Sequence, residues 1–322
     1  MSIGETGPGL TGEEPSEPAA EPAAVAVHPQ DGARSYGQRP LPPGLHFIAT
    51  PIGAARDITL RALDILATAD LLAAEDTRSL RHLMEIHGVP LRGRPLLAYH
   101  DHNGDAMRPR LLGALAAGQS VAYASEAGTP LVADPGYQLS RAAIAAGHKV
   151  LAAPGPSALL AALTVAGLPT DRFLFAGFPP AAAGARARFF AELVDVPATL
   201  VFYESPKRIG KTLRELVQVF GGREAVVCRE LTKRFEEVTR GRLDALATAF
   251  ADRVVKGEVV LLIDRGQGVV PDVDAVEAAL VQALTKASVK DAAADVAARL
   301  GLPRRDLYQM ALKLAAKDEA GG

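Results

Sequence analysis

Between residues 45 and 155, hydrophobic and polar positions follow two alternating rhythms. The short, mainly apolar runs "LHFIA", "DLLAA", "PLLAYH", "SVAYA" and "KVLAA" carry apolar residues on both faces rather than at every second residue. The stretches between them place apolar residues at helical spacing, as in "TLRALDILATAD", where Leu60, Leu63 and Ala67 share one face. Strand-like runs alternating with helical ones predict βα units and a parallel sheet. Strands apolar on both faces suit a sheet covered by helices on either side.

The rhythm restarts at "DRFLFAGFPP". The next runs, "TLVFYE", "AVVCREL", "EEVTRG" and "GEVVLLID", include neighbours too close in sequence for a helical crossover, so antiparallel pairing and a mixed sheet are expected. After the linker "RGQGVVPD", Ser288 reads as the N-cap of a helix ending at Gly301, and Pro303 opens another through Lys313. Helix, tight "GLP" turn and helix resemble a helix-turn-helix. The fold class is therefore α/β, with an N-terminal domain at 45–155, a second at 156–266 and a small helical unit at 275–317.

Residues 1–44 break both rhythms. They hold eight of the 23 prolines, seven glycines and six acids against two arginines, a composition that cannot bury enough apolar surface to fold and predicts a disordered tail. The tail also carries the charge imbalance: the whole chain is at −2, the tail at −4, and the remainder at +2. A nearly neutral body must bind any nucleic acid through local basic clusters. The single cysteine, Cys228, lies in an apolar run and reads as a buried core thiol in a reducing, cytoplasmic setting. No run has the length of a membrane span, so neither export nor membrane insertion is expected.

The chemistry-bearing turns all come after strands. "ATPIGAARDIT" succeeds the first, "AEDTR" the second, "YHDHN" the third, "SEAGTP" the fourth and "APGPSA" the fifth. In a parallel sheet, ligands sit at these carboxyl ends, where backbone amides point out of the fold. The turn "SEAGTPLVADPGY" is unusually long for its place, and its glycines and prolines would give a stiff backbone that recognises a nucleoside with little ordering cost. The phosphate-binding, dinucleotide, hydrolase and zinc-protease motifs are all missing. His100 and His102 without a close third ligand do not make a metal site, and none is expected.

Taken in order, "TPIGAARDIT", "AAEDTR", "HDHN", "SEAGTPLVADPGY", "PGPSALLAAL", "DRFLFAGF", "FYESPKR" and "RELTK" resemble the bacterial small-subunit ribosomal RNA cytidine 2′-O-methyltransferases of the tetrapyrrole-methylase superfamily. The resemblance implies two α/β domains with S-adenosyl-L-methionine between them, a homodimer, and 16S rRNA within the 30S subunit as substrate. It also implies cofactor contacts from Pro51, Gly53, Glu126, Gly128, Thr129, Pro130, Val132, Ser157, Tyr203 and Glu230, with Asp134 and Pro135 closing the far side of the stiff turn. Glu126 stands where the family usually has Asp, and Ala54-Ala55 where it usually has Asn-Leu.

Removing the proton of a ribose hydroxyl calls for a general base. The acids and bases near the strand ends are Glu75, Asp76, His100, His102 with Asn103, Glu204 and Lys233. Glu75, His102 and Asn103 are the leading catalytic candidates, Glu75 on condition that burial raises its pKa. Basic groups suited to RNA phosphate are Arg78, Lys207, Arg208, Lys233, Arg304 and Arg305, with Arg186 and Arg188 in "RARFF". Two other readings fit the same fold: a tetrapyrrole C-methyltransferase acting on a precorrin or uroporphyrinogen, and a non-catalytic RNA-binding assembly factor. The basic C-terminal helices argue against the first.

Overall fold

The computed structural model describes residues 36, 40–132, 136–266, 273–300 and 302–321, the last five by their backbone alone. Residues 1–35 and 37–39 of the expected tail, Asp134, Pro135, residues 267–272 of the linker and Gly301 lie outside the described residues.

The first sheet contains β1 (Gly44–Ile48), β2 (Leu71–Ala74), β3 (Leu96–Ala98), β4 (Ser120–Ala124) and β5 (Val150–Ala153), all parallel in the order β3-β2-β4-β1-β5. Its strands are the five apolar runs. β1 begins at Gly44, so a tail boundary after residue 44 falls one residue inside the strand, and His46 Nε2 lies 2.9 Å from the Pro42 carbonyl ahead of it. One face of the sheet is covered by α1 (Leu60–Thr68) and α2 (Thr77–Ile86), which set Ile65, Leu66, Leu80 and Met84 against Ile48, Leu72 and Ala122. The other is covered by α3 (Gly104–Ala116) and α4 (Tyr137–Ala145), through Leu111, Leu115, Leu139 and Ala143.

Helical spacing locates α1 but misjudges its buried face. Ala62, Leu63, Ile65 and Leu66 are buried, whereas Leu60 is 59% exposed. Leu60 comes directly after the capping residue Thr59 and lies off the buried face, which runs through Ala62, Leu63, Ile65 and Leu66.

From β5 the chain enters α5 (Ala158–Ala166), which packs against the second sheet rather than the first. Its Ala162, Leu163 and Ala166 lie on Val201, Val226, Cys228 and Leu262. The second sheet comprises β6 (Phe173–Gly177), β7 (Thr199–Glu204), β8 (Glu224–Arg229), β9 (Glu237–Arg242) and β10 (Val259–Ile263), in the order β6-β7-β10-β8-β9. Only β6 and β7 are parallel; the other pairs are antiparallel. Its outer face is covered by α6 (Ala183–Ala191), α7 (Ile209–Phe220) and α8 (Leu243–Ala249). Arg240 on β9 donates to the Val165 and Ala166 carbonyls, supplying a cation to the C-terminal end of α5 where the backbone lacks partners.

Arg186 is no phosphate contact. It is 2% exposed, its Nε and Nη2 meet the two oxygens of Glu215 at 2.6 and 2.7 Å, and its Nη1 donates to the Pro180 and Ala181 carbonyls. A sequence containing "RARFF" does not reveal which arginine points inward.

The C-terminal unit has one helix more than the two expected: α9 (Val273–Leu284), α10 (Val289–Leu300) and α11 (Arg304–Gly321). They share a core of Val276, Leu280, Val296 and Leu307. Ser288 caps α10, its Oγ accepting from Asp291 N and donating to the Asp291 carboxylate. No helix among the described residues is long and apolar enough to cross a membrane.

Glu237 on β9 makes the second sheet acid-sensitive. Arg253, at 2.6 and 2.7 Å, and Arg229, at 3.1 Å, hold its carboxyl at about 2, below its ordinary 4.5. A depressed carboxyl stabilises the fold above its unfolded value and loses that contribution as the pH falls toward the folded one. Urea midpoints of the wild type should therefore fall as the pH drops from 4.5 toward 2. Glu237→Gln should remove from that slope on the order of 1 kcal/mol, solvent screening included.

Candidate active site

The ends of β1, β4 and β5 are tied together beyond the sheet. Thr50 and Gly128 exchange two backbone hydrogen bonds, at 2.9 and 3.0 Å, as an isolated antiparallel bridge. Side chains reinforce it. Thr50 Oγ1 donates to the Ser125 carbonyl, Ser125 Oγ to the Gly128 carbonyl, and Thr129 Oγ1 to the Pro156 carbonyl of the β5 loop. Gly128 has φ +83°, and a Cβ there would lie 3.3 Å from Ile52. Sequence and turn chemistry agree at this point: only glycine takes that conformation without strain.

The bridged loops form one wall of a cleft of about 750 Å³. From the first sheet it is lined by Pro51, Gly53, Glu75, Ser79, Glu126, Gly128, Thr129, Val132 and Ser157. From the second it is lined by Phe178, Tyr203, Glu204, Ser205, Pro206, Lys233 and the segment Gly257–Val260. Eight of the ten residues expected to contact the cofactor thus face one cavity. The other two do not line it: Pro130 is buried beside Thr129, and the Glu230 carboxylate accepts from Lys233 Nζ at 2.9 Å and from Glu258 N at 3.0 Å.

Glu230 therefore braces Lys233. The Lys233 ammonium also meets Glu258 at 3.1 Å; burial opposes its charge, but the two carboxylates outweigh that and raise its pKa. The bracing strains the backbone, since Glu230 and Thr232 both have positive φ, at 52° and 64°. It also sets Thr232 against the first sheet's loop, where Ala54 N donates to Thr232 Oγ1 at 3.1 Å.

The acids expected to act as bases have different environments. Asp76 caps α2, accepting from Arg78 N and Ser79 N, and the Arg78 guanidinium holds its carboxyl at about 2. Glu204 is 2% exposed and fully engaged, accepting from Ser205 N, Arg208 and Thr212 Oγ1, each at 2.6 Å. Glu75 differs from both. Burial raises its pKa first, the nearby Glu126 and Asp101 carboxylates add to that, and the Glu126 amide and His100 only partly offset it. Its Oε2 is buried and has no partner among the described residues.

The "YHDHN" loop stands apart from the cleft wall. Asn103 accepts from His100 N and donates to the Ala98 carbonyl, so its amide holds the loop at both ends. His102 is exposed, with its ring 6.0 Å from that of His100, and none of the three lines the cleft. Among the basic candidates, Lys207 is exposed on the loop after β7, Arg208 is paired with Glu204, and Arg78 is exposed but paired with Asp76. Arg304 and Arg305 are exposed on the first turn of α11.

Sequence reasoning missed Ser79, Phe178, Ser205, Pro206 and the Gly257–Val260 segment as cleft-lining residues. A signal existed for Phe178, an aromatic between glycine and two prolines at a strand end.

Two sheets facing one another across a cleft, one wall built from bridged strand-end loops, define the tetrapyrrole-methylase fold. A model of the "Tetrapyrrole (Corrin/Porphyrin) Methylases" matches residues 44–247, and one of the "RsmI C-terminal HTH domain" matches residues 270–315. The chain belongs to the tetrapyrrole methylases and, within them, to the ribosomal RNA small subunit methyltransferase I family. The Mesorhizobium japonicum protein of that name is 46% identical over 292 residues, 90% of this chain and 98% of its own length. The Halalkalibacterium halodurans protein is 37% identical over 287 residues, 86% and 97% of the two chains. Among solved structures, diphthine synthase superposes with a TM-score of 0.55 at 19% identity, covering 68% of this chain and 89% of its own. Cobalt precorrin-4 methyltransferase superposes at 0.52 and 17%, covering 68% and 94%. At such identities the superpositions show the fold alone.

Gly53 tests the contact between the sheets. A Cβ there would lie 2.5 Å from Lys233 Cγ, 2.6 Å from Thr232 Oγ1 and 3.0 Å from the Leu231 carbonyl. Gly53→Ala should force these loops apart and cost about 1–3 kcal/mol in a urea melt. Gly113→Ala, in α3 with nothing within 4 Å, should be neutral or slightly stabilising.

Proposed function

We propose that the chain is an S-adenosyl-L-methionine-dependent methyltransferase that modifies the 2′-oxygen of a cytidine in 16S rRNA of the small ribosomal subunit. The observation that carries this is the union, in one cleft, of a rigid backbone wall and a buried carboxylate oxygen without a partner among the described residues. The relatives' name supplies the substrate class.

The cleft fits a nucleoside-sized methyl donor. Its volume lies in the range of small-molecule sites, and its wall is close-packed glycine, proline and small side chains, as a backbone-recognised ligand requires. Pro51, Gly53, Gly128, Thr129, Val132 and Ser157 would hold the donor from one side, and Tyr203 from the other. Bound there, S-adenosyl-L-methionine supplies a sulfonium-borne methyl group. The protein's work is mainly positioning and water exclusion, because charge disappears rather than builds in such a transfer.

Glu75 Oε2 is the atom that receives the 2′-hydroxyl proton. Its raised pKa brings its basicity closer to working pH, the direction a general base needs. Glu126, one methylene longer than the family's Asp, contributes its backbone amide to Glu75. Asn103 and His102 act through the loop beside Glu75 rather than by touching substrate. Lys207 on the loop after β7 and Arg304 and Arg305 on α11 meet RNA phosphate. Two chains pair as a homodimer, in keeping with the family resemblance.

Glu75→Gln should lower the methylation rate of 30S particles by about 10²–10⁴, read by nucleoside mass spectrometry, while calorimetry shows S-adenosylhomocysteine still bound. The wild-type rate should rise with pH through an acidic limb above the ordinary glutamate value, since the base must be ionised, and the limb should vanish in Glu75→Gln. Normal turnover in that variant would remove Glu75 from the chemistry.

Arg304→Ala with Arg305→Ala should weaken 30S binding and lower the salt slope of log affinity by about 1–2, with donor affinity unchanged. An unchanged slope would take α11 off the RNA.

A further inference from the structure

We propose that Phe178 is the stacking platform on which the target nucleobase rests while its ribose faces Glu75. This rests on the RNA-methyltransferase reading and names the residue of that same cleft which holds the base.

Phe178 is a large apolar side chain left 56% exposed on the cleft wall. The backbone puts it there. The pairing of β6 with β7 slips in register between Phe175 and Gly177, and Gly177 has φ +70°, so the strand leaves its ladder just before Phe178. Such irregularities re-aim a side chain at the edge of a sheet. Without the slip, the side-chain alternation along β6 would continue through this position.

The segment Pro179–Ala181, immediately after Phe178, is held rigidly. Arg208 Nη1 donates to the Pro179 carbonyl, and Arg186 Nη1 donates to those of Pro180 and Ala181. Each arginine is itself fixed by a carboxylate, Arg208 by Glu204 and Arg186 by Glu215. Two acids, two arginines and two prolines thus pre-organise a strap whose visible product is one exposed aromatic ring. The ring meets that of Tyr203 in a T-shaped contact, with centroids 5.6 Å apart, and more than half of it stays exposed to a ligand.

The ligand is a nucleobase in a single-stranded or extruded nucleotide. Every base has a flat π-face that stacks on an aromatic side chain, and sequence-specific recognition of RNA acts on nucleotides whose bases are unstacked and splayed out onto such side chains. Exposed Lys207 directly precedes Arg208, which bonds this strap, and would supply the phosphate contact. Phe178 comes directly after β6 and Glu75 directly after β2; both line the one cleft, and neither strand takes part in the Gly53–Lys233 contact between the sheets.

The test uses full-length protein, unmethylated 30S particles and S-adenosylhomocysteine. Phe178→Ala should lower kcat/KM for 30S by about 5- to 100-fold, the range expected for loss of one base–aromatic stack. Its dissociation constant for S-adenosylhomocysteine should stay within about twofold of wild type, and its elution in size-exclusion chromatography should not change. Phe178→Trp should restore most of the loss. Four results would overturn the proposal: a parallel drop in donor-analogue affinity, which would place the ring against the donor; a change in oligomeric state, which would place it in a protein interface; equal loss in both variants, which would make its role structural; or no loss at all. Failure of the wild type itself to methylate 30S would instead reject the underlying function.

Discussion

Two backbone hydrogen bonds between Thr50 and Gly128 carry the architecture of the site. They extend pairing past the ends of β1 and β4, where the strands themselves have stopped. Loops at the carboxyl edge of a parallel sheet ordinarily diverge with the helices they feed. Here the bridge prevents that; Ser125 reinforces it by bonding the Gly128 carbonyl, and Thr129 extends it to the β5 loop by bonding the Pro156 carbonyl. Hydroxyls spent in this way leave a wall that presents mainly backbone and small side chains. Such a surface costs little entropy to order on binding, because it is ordered already.

The opposite wall is made stiff by different means. Its loops are fixed by charge: Glu204 with Arg208, Glu215 with Arg186, Glu230 with Lys233. Pairs of this kind repay little of their desolvation as net stability, but they specify geometry, because a buried carboxylate surrounded by donors has one satisfactory arrangement. The backbone at Glu230 and Thr232 accepts positive φ to complete one of them, and the result presses Thr232 and Lys233 against Gly53. Where the first wall is rigid through glycine and hydroxyl groups, the second is rigid through ions, and they meet at a residue without a side chain.

Much of this was legible in the sequence. Ten runs became ten strands, and their spacing separated a parallel sheet from a mixed one, because a crossover helix needs residues that a hairpin does not. The strand-end motifs also fell on the cleft. The features that stayed hidden depend on tertiary neighbours. Leu60 has helical spacing but is left exposed, and α9 begins directly after Asp272, a residue type that favours helix starts and that the linker reading passed over. Arg186 and Arg188 are two residues apart in one helix, and nothing local distinguishes the buried one. At Phe178 the flanking glycine and prolines were visible, but the register slip that sets the ring on the cleft was not.

The acids show the same limit most sharply. Glu75, Asp76, Glu204 and Glu230 all sit at strand ends in motifs of similar composition, yet their surroundings give them different work. Asp76 is spent on a helix N-terminus and an exposed arginine. Glu204 and Glu230 are spent on loop-holding donors. Glu75 has an oxygen buried without a donor among the described residues, an arrangement that costs free energy in a protein with no use for it. Its neighbours add to the cost, since Glu126 and Asp101 bring further negative charge. A fold that satisfies three acids within one cleft region could have satisfied a fourth with a single arginine. Burial first, and the Glu126 and Asp101 carboxylates after it, raise the affinity of Glu75 for a proton instead, the direction that its proposed role as base for a ribose hydroxyl requires.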